Sequence, residues 1–171
     1  MIATFQPKEE SKTSSSKSFS GAGLTLRGKR VLISVVSVGM GQFHHLETQL
    51  DSYRDLCEAG SQTDIHIYTD NVYSVNIVDQ LNSRLRCRNT DGGTLNVAVH
   101  IKSGNWKYHF MDFHRVLFYD NLDNYDVFIH NEDDHLLRPM HIISFLDEIE
   151  KLKKMVGDEV CFLGFEMKIS F

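Results

Sequence analysis

The chain is short of several things. It has three cysteines, two prolines and one tryptophan in 171 residues. Cys57, Cys87 and Cys161 are far apart, so they predict neither a disulfide framework nor a CxxC metal site, and their expected role is small apolar filler. No apolar run reaches about 18 residues, so no segment is predicted to cross a membrane. No basic excess exists: the net charge is −5, which argues against nucleic-acid binding through a basic face. A secretory signal would need an apolar stretch of about 7–15 residues behind its basic start, and none is present. Neither GxGxxG nor the Walker Gly-Lys-Ser/Thr occurs, so GMGQF (39–43) reads as a strand-to-helix turn rather than a phosphate loop. No Asn-x-Ser/Thr sequon, internal repeat, or Ser/His/Asp or Cys/His nucleophile arrangement is found.

What is present is unevenly distributed. Residues 1–30 hold six Lys/Arg and two acids, a net +4, which leaves −9 for the rest. The stretch up to about Gly28 is rich in Ser, Lys and Gly, and it cannot offset its ordering entropy by burial. It is therefore expected to be a disordered tail (1–28) ahead of a folded body (29–171).

The body alternates strand and helix patterns. KRVLISVVSVG (29–39) is β-branched and closed by glycine, as in a buried parallel strand. Phe43, Leu46, Leu50, Tyr53 and Leu56 recur every three or four residues up to Gly60, which predicts an amphipathic helix. TDIHIYTD (63–70) and TLNVAVHI (94–101) alternate as strands, and VNIVDQLNSRLR suggests a short helix between them. The aromatic density of NWKYHFMDFHRVLFYDNL predicts a largely buried helix from near Lys107 to Leu122, with Trp106, Tyr108 and Phe110 in the core. DVFIH (126–130) reads as a central strand, Pro139 opens a further helix, and EVCFLGF (159–165) reads as a last strand. The expected fold class is α/β, a mostly parallel sheet with flanking helices in three layers.

The segment DVFIHNEDDHLLRP (126–139) carries the most chemistry. A hydrophobic strand runs straight into Glu132-Asp133-Asp134, three carboxylates that repel one another unless something pairs with them. Open α/β sheets bind ligands beyond the carboxyl ends of their strands, and carboxylate oxygens suit hard divalent cations such as Mg²⁺ or Mn²⁺. A solvated acidic turn explains the same pattern, and the residues alone leave both readings open. His130, His135 and His141 surround the cluster. His135 is a candidate ligand, against the commoner local hydrogen-bonding role. His44 and His45, adjacent in a helix, are expected to diverge by about 100°.

This segment resembles the glycosyltransferases of the GT-A fold, whose strand-ending Asp-x-Asp motif often appears as Glu-Asp-Asp. RVLISVVSV (30–38) looks like their first nucleotide-binding strand and IHIYTD (65–70) like their second. FHRVLFYDNLDNYDVFIHNEDDHL (113–136) looks like the donor-site signature, and FLGFE (162–166) like the following strand. The resemblance implies a Rossmann-like, nucleotide-sugar-binding half of a metal-dependent glycosyltransferase. It implies that Asp134 is the principal ligand of a Mn²⁺ or Mg²⁺ ion. Glu132 and Asp133 would contact the metal's waters, the donor ribose or the sugar. Asp70 would lie by the base or ribose, and Ser37, Val38 and Gly39 would line the nucleotide pocket. His114 and Arg115 would face the donor, although Arg115 pairing with Asp112 or Asp120 is an equal alternative. The partners implied are a nucleotide-sugar donor and a glycan, protein or lipid acceptor, without nucleic acid. The acceptor half and catalytic base are expected to lie outside these residues. The implied location is the Golgi lumen or membrane, with the true start lying upstream; otherwise the chain, which shows no signal or anchor, is expected in the cytosol. The alternative is a catalytically inactive nucleotide-sugar-binding or protein-interaction module.

Overall fold

The computed structural model describes residues 2–5, 26–87, 92–102 and 112–156. At its centre is β2 (Arg30–Ser37), with Val31, Leu32, Ile33, Val35 and Val36 all buried. A strand so apolar on both faces belongs inside a sheet covered on both sides. It pairs in parallel with β3 (Gln62–Thr69) on one flank and β5 (Val127–Glu132) on the other, and β4 (Thr94–Ile101) pairs in parallel with β3. The result is a Rossmann-like α/β sheet of four parallel strands.

The helices follow from the handedness of the crossovers. α1 (Phe43–Glu58) and α2 (Val75–Arg84) carry the chain from β2 to β3 and from β3 to β4, and they lie together on one face. α1 buries Leu46, Leu50, Tyr53, Leu56 and Cys57 against Ile33, Val35, Ile65 and Ile67. Each such aliphatic side chain removed from water contributes about 1.5–3 kcal/mol. Gly60 stops α1 with φ 94°, and its amide donates to the carbonyl of Cys57 at 2.9 Å. Between β4 and β5 the chain reverses direction across the sheet, so α3 (Phe113–Tyr119) packs on the opposite face, where Phe113 and Leu117 meet Val36 and Tyr68. α4 (Pro139–Val156) returns to the α1 side through Ile142, Ile143 and Leu146. None of the described helices is long and apolar enough to cross a membrane.

Several expectations change. Within the stretch read as a disordered tail, Ile2–Phe5 forms β1, antiparallel to β4. Without it β4 would present an unpaired edge, and backbone pairing needs little from side chains. Leu26 is also buried, in the main core, so ordered chain starts ahead of residue 29. Residues 6–25 lie outside the described residues. The helix expected over 107–122 is described from Phe113 to Tyr119 and is not buried: Val116 is 64% exposed and Tyr119 77%. Its apolar density had suggested burial, yet only one side of it meets the sheet. Trp106, Tyr108, Phe110 and the strand expected at 159–165 fall outside the described residues.

The cysteine reading is corrected outright. Cys57 and Cys87 form a disulfide, with Cα atoms 5.9 Å apart, inside the range that a bridge requires. It ties the end of α1 to the segment following α2. Spacing alone cannot reveal such a bridge, because α2 and β3 fold the chain back between the two residues. Gly93 lies against it: a Cβ there would collide with the carbonyl oxygen of Cys57. The expected divergence of His44 and His45 is also overturned. Their rings stand 3.9 Å apart, because exposed side chains in a first helical turn can swing together.

Candidate functional site

The sheet order β1-β4-β3-β2-β5 puts successive connections on opposite sides of β2. The crevice between the carboxyl ends of β2 and β5 is therefore the topological switch point, where open α/β sheets bind ligands. Both sequence-predicted segments end there. β2 delivers Ser37, Val38 and Gly39, and β5 delivers Glu132, Asp133 and Asp134.

On the β2 side, Gly39 has φ 85°, a left-handed conformation in which a side chain would be strained. This turn aims its amide at Asp70 Oδ1, 3.1 Å away at the end of β3. Val38 packs beside Val36 and Tyr68. Ser37 is buried, and its hydroxyl lies near enough to the Asp133 carboxyl to favour the charged form of that acid. Tyr73 closes this floor, its hydroxyl 3.4 Å from Thr69 Oγ1, and burial raises its pKa.

On the β5 side, the Asp133 amide donates to Val36 O at 3.1 Å, so strand pairing continues into the acidic turn. The Asp133 side chain turns inward and is only 9% exposed. Burial raises its pKa, opposed by the nearby Ser37 hydroxyl and reinforced by the charge of Asp134. Its Oδ2 is buried with no hydrogen-bond partner among the described residues. Glu132 and Asp134 project outward. With His135 they offer three ligand atoms within 4.8 Å of one another, and His135 Nδ1 lies 3.3 Å from Asp134 Oδ1. Two carboxylates and an imidazole are a donor set that suits Mn²⁺ and similar borderline cations. The unsatisfied Asp133 oxygen beside them has the character of a group that waits for an ion or an ordered water. These residues fit a divalent cation.

The turn leans on α1, and the two enclose a cleft of about 310 Å³ lined by His45, Thr48, Gln49, Asp133, Asp134 and His135. A second cleft, of about 180 Å³, lies at the amino ends of β2 and β3, beside Arg30, Gln62, Asp64 and Tyr125. Several of its polar groups are already paired. Arg30 pairs with Asp126 at 3.0 Å, and the Tyr125 hydroxyl donates to Asp64 Oδ2 at 2.6 Å. It has the weaker claim to a ligand.

The predicted residues thus separate. Ser37, Val38, Gly39, Asp70, Glu132, Asp133 and Asp134 gather at one edge. His114 and Arg115 sit on α3, on the sheet face away from α1. The His114 ring stacks on His130 at 3.9 Å. Arg115, with its side chain 77% exposed, pairs with Asp112 at 3.5 Å, the second of the two roles open to it from sequence.

Sequence reasoning missed Gln49 and Asn131. Gln49, in the apolar stripe of α1, is 1% exposed. Its Nε2 donates to Glu132 O at 2.6 Å and to His135 O at 2.8 Å. Asn131 Nδ2 donates to His135 O and to the buried Tyr53 hydroxyl, each at 3.0 Å. The available signal was Gln49 itself, a polar residue between Leu46, Leu50 and Tyr53 on the face that should have been wholly apolar. Comparison with family models, curated proteins and solved structures finds no match.

Proposed function

We propose that the chain carries the donor site of a metal-dependent glycosyltransferase, which transfers a sugar from a nucleotide-sugar donor to an acceptor hydroxyl. The observation that carries this reading is the convergence of Glu132, Asp134 and His135 within 4.8 Å at the switch point of a parallel α/β sheet. Asp134 and Glu132, with His135, would hold Mn²⁺ or Mg²⁺. Bound there, the cation would supply Lewis acidity to a departing diphosphate. The protein's own part is to hold and orient. Gly39 and Asp70, joined at 3.1 Å, shape the opposite wall. Asp133, turned inward, anchors the turn to β2 through its amide, which donates to Val36 O at 3.1 Å.

The Cys57–Cys87 disulfide supports a location on the luminal side of the secretory pathway, such as the Golgi, because disulfides persist in oxidising compartments.

Calorimetric titration with nucleoside diphosphates tests the proposal. Binding is expected in the presence of Mn²⁺, with loss of the metal-dependent part in Asp134→Ala. If no nucleoside diphosphate binds with Mn²⁺ present, the donor site is refuted. If wild type and Asp134→Ala bind alike, the cation assignment falls.

One observation favours the second reading, a non-catalytic interaction module. Val116, Tyr119 and Leu122, on and just after α3, are 64%, 77% and 57% exposed. Recovery of a protein partner that Tyr119→Ser releases, without nucleotide binding, would support that reading instead.

A further inference from the structure

An acidic turn opposes its own geometry. Glu132, Asp133 and Asp134 are consecutive, and mutual repulsion favours spreading the turn apart. The turn's internal restraint is weak: the His135 amide reaches Glu132 O at 3.3 Å, a long bond. The stronger contacts come from outside. The two amide hydrogens of Gln49 reach the two carbonyls that bracket the turn, Glu132 O and His135 O, at 2.6 and 2.8 Å. Asn131 adds a second bond to His135 O. Gln49 is placed by α1, whose buried residues lock it to the core, so the clamp is stiff.

Burying a primary amide in an apolar stripe costs free energy unless its hydrogen bonds are made. Here two donors are used, while Oε1 has no partner among the described residues. An aliphatic residue would pack the stripe without that cost, so the amide is matched to the turn rather than to the core. A second observation points to a ligand at the same place. Asp133, 9% exposed, is among the residues lining the cleft, and its buried Oδ2 has no hydrogen-bond partner among the described residues.

We infer that Gln49, assisted by Asn131, is a positioning residue for the cation site: it pins both ends of the acidic turn so that Glu132, Asp134 and His135 converge. The inference rests on the cation reading above. Groups that orient metal ligands from behind typically control affinity by about 10–100-fold.

The test is Mn²⁺ affinity, read from the free-ion signal in electron paramagnetic resonance, for wild type, Gln49→Met, Asn131→Ala, Asp134→Ala and Val97→Ala. Gln49→Met keeps the length and loses both donors, and it is expected to weaken Mn²⁺ binding about 10–100-fold. Asn131→Ala removes one of the two bonds at His135 O and is expected to weaken it about 2–10-fold. It decides the matter if Gln49→Met does not fold. Val97→Ala lowers stability from a core site in β4 and should leave the affinity unchanged, which separates positioning from general destabilisation. If wild type binds and Asp134→Ala does not, while the folded clamp variants bind as wild type does, the clamp is refuted and the cation site stands. If wild type binds no Mn²⁺, both fall together.

Discussion

Opening the Cys57–Cys87 bridge is the perturbation whose size the structure sets most directly. The two residues are 30 apart in sequence. In the chain-entropy account, a closed loop of that length withholds conformational freedom from the unfolded chain worth about 3.6 kcal/mol at 25 °C. Against a stability of about 5–15 kcal/mol this is a large fraction. The double variant Cys57→Ala/Cys87→Ala is the cleaner perturbation, because Cys57 is fully buried and a serine would leave a hydroxyl there to satisfy. Urea unfolding should show a loss approaching 3.6 kcal/mol, and heating a fall in Tm of roughly 7–15 °C. Wild type in a reducing agent should shift the same way, and the double variant should not respond to the reductant at all. Thiol titration in denaturant without reductant should find one thiol of the three cysteines in the chain. Three free thiols in protein purified from an oxidising compartment, or a double variant within about 1 kcal/mol of wild type, would refute the reasoning.

Acid should weaken the fold through the histidines beneath α3. Burial, with His66 beside one and His114 beside the other, holds the pKa of His100 and of His130 down at about 4. The unfolded chain, with histidines near 6.5, then binds more protons between those values. The contribution is fully present above about pH 6.5 and is lost as the pH falls toward 4. Allowing for partial exposure, it is worth about 1–2 kcal/mol per imidazole. Urea midpoints at pH 7, 5.5 and 4.5 should fall in that order, and less steeply in His130→Asn; a flat profile would contradict the burial argument. Gly93→Ala should cost about 1–3 kcal/mol or more, because its Cβ meets the backbone of Cys57. Gly41→Ala, whose Cβ meets nothing within 4 Å, should stay within about 0.5 kcal/mol, both read by thermal melting.

The parallel strands and their intervening helices were legible because each element states its period locally. Ile65, Ile67 and Thr69 alternate within β3, and Leu46, Leu50, Tyr53 and Leu56 trace one stripe of α1. Neither needs knowledge of its partner. β1 could not be read, since a four-residue edge strand is held by backbone bonds to β4 and its side chains signal little. The disulfide could not be read either, since it depends on how α1, β3 and α2 fold back. For α3, apolar content does not report burial: residues at the rim of a sheet can be as aromatic as those in its centre and remain half-exposed.

The site was legible in a similarly divided way. Carboxylates after a buried strand mark the end of β5, but they do not say what holds them there. That information is carried by α1, about 83 residues earlier, in a glutamine that interrupts its apolar stripe. An amphipathic pattern normally treats such a residue as noise. Here the interruption is the informative feature, because a buried amide must find partners, and the carbonyls it finds belong to the one turn whose charges most need restraint. A polar residue inside an otherwise apolar helical stripe therefore points outward from the core, toward whichever loop the helix packs against. In a doubly wound sheet, the helix that follows the central strand packs beside the switch point. The stripe of α1 and the acids of β5 are thus two parts of one candidate site, brought together by the order of the strands.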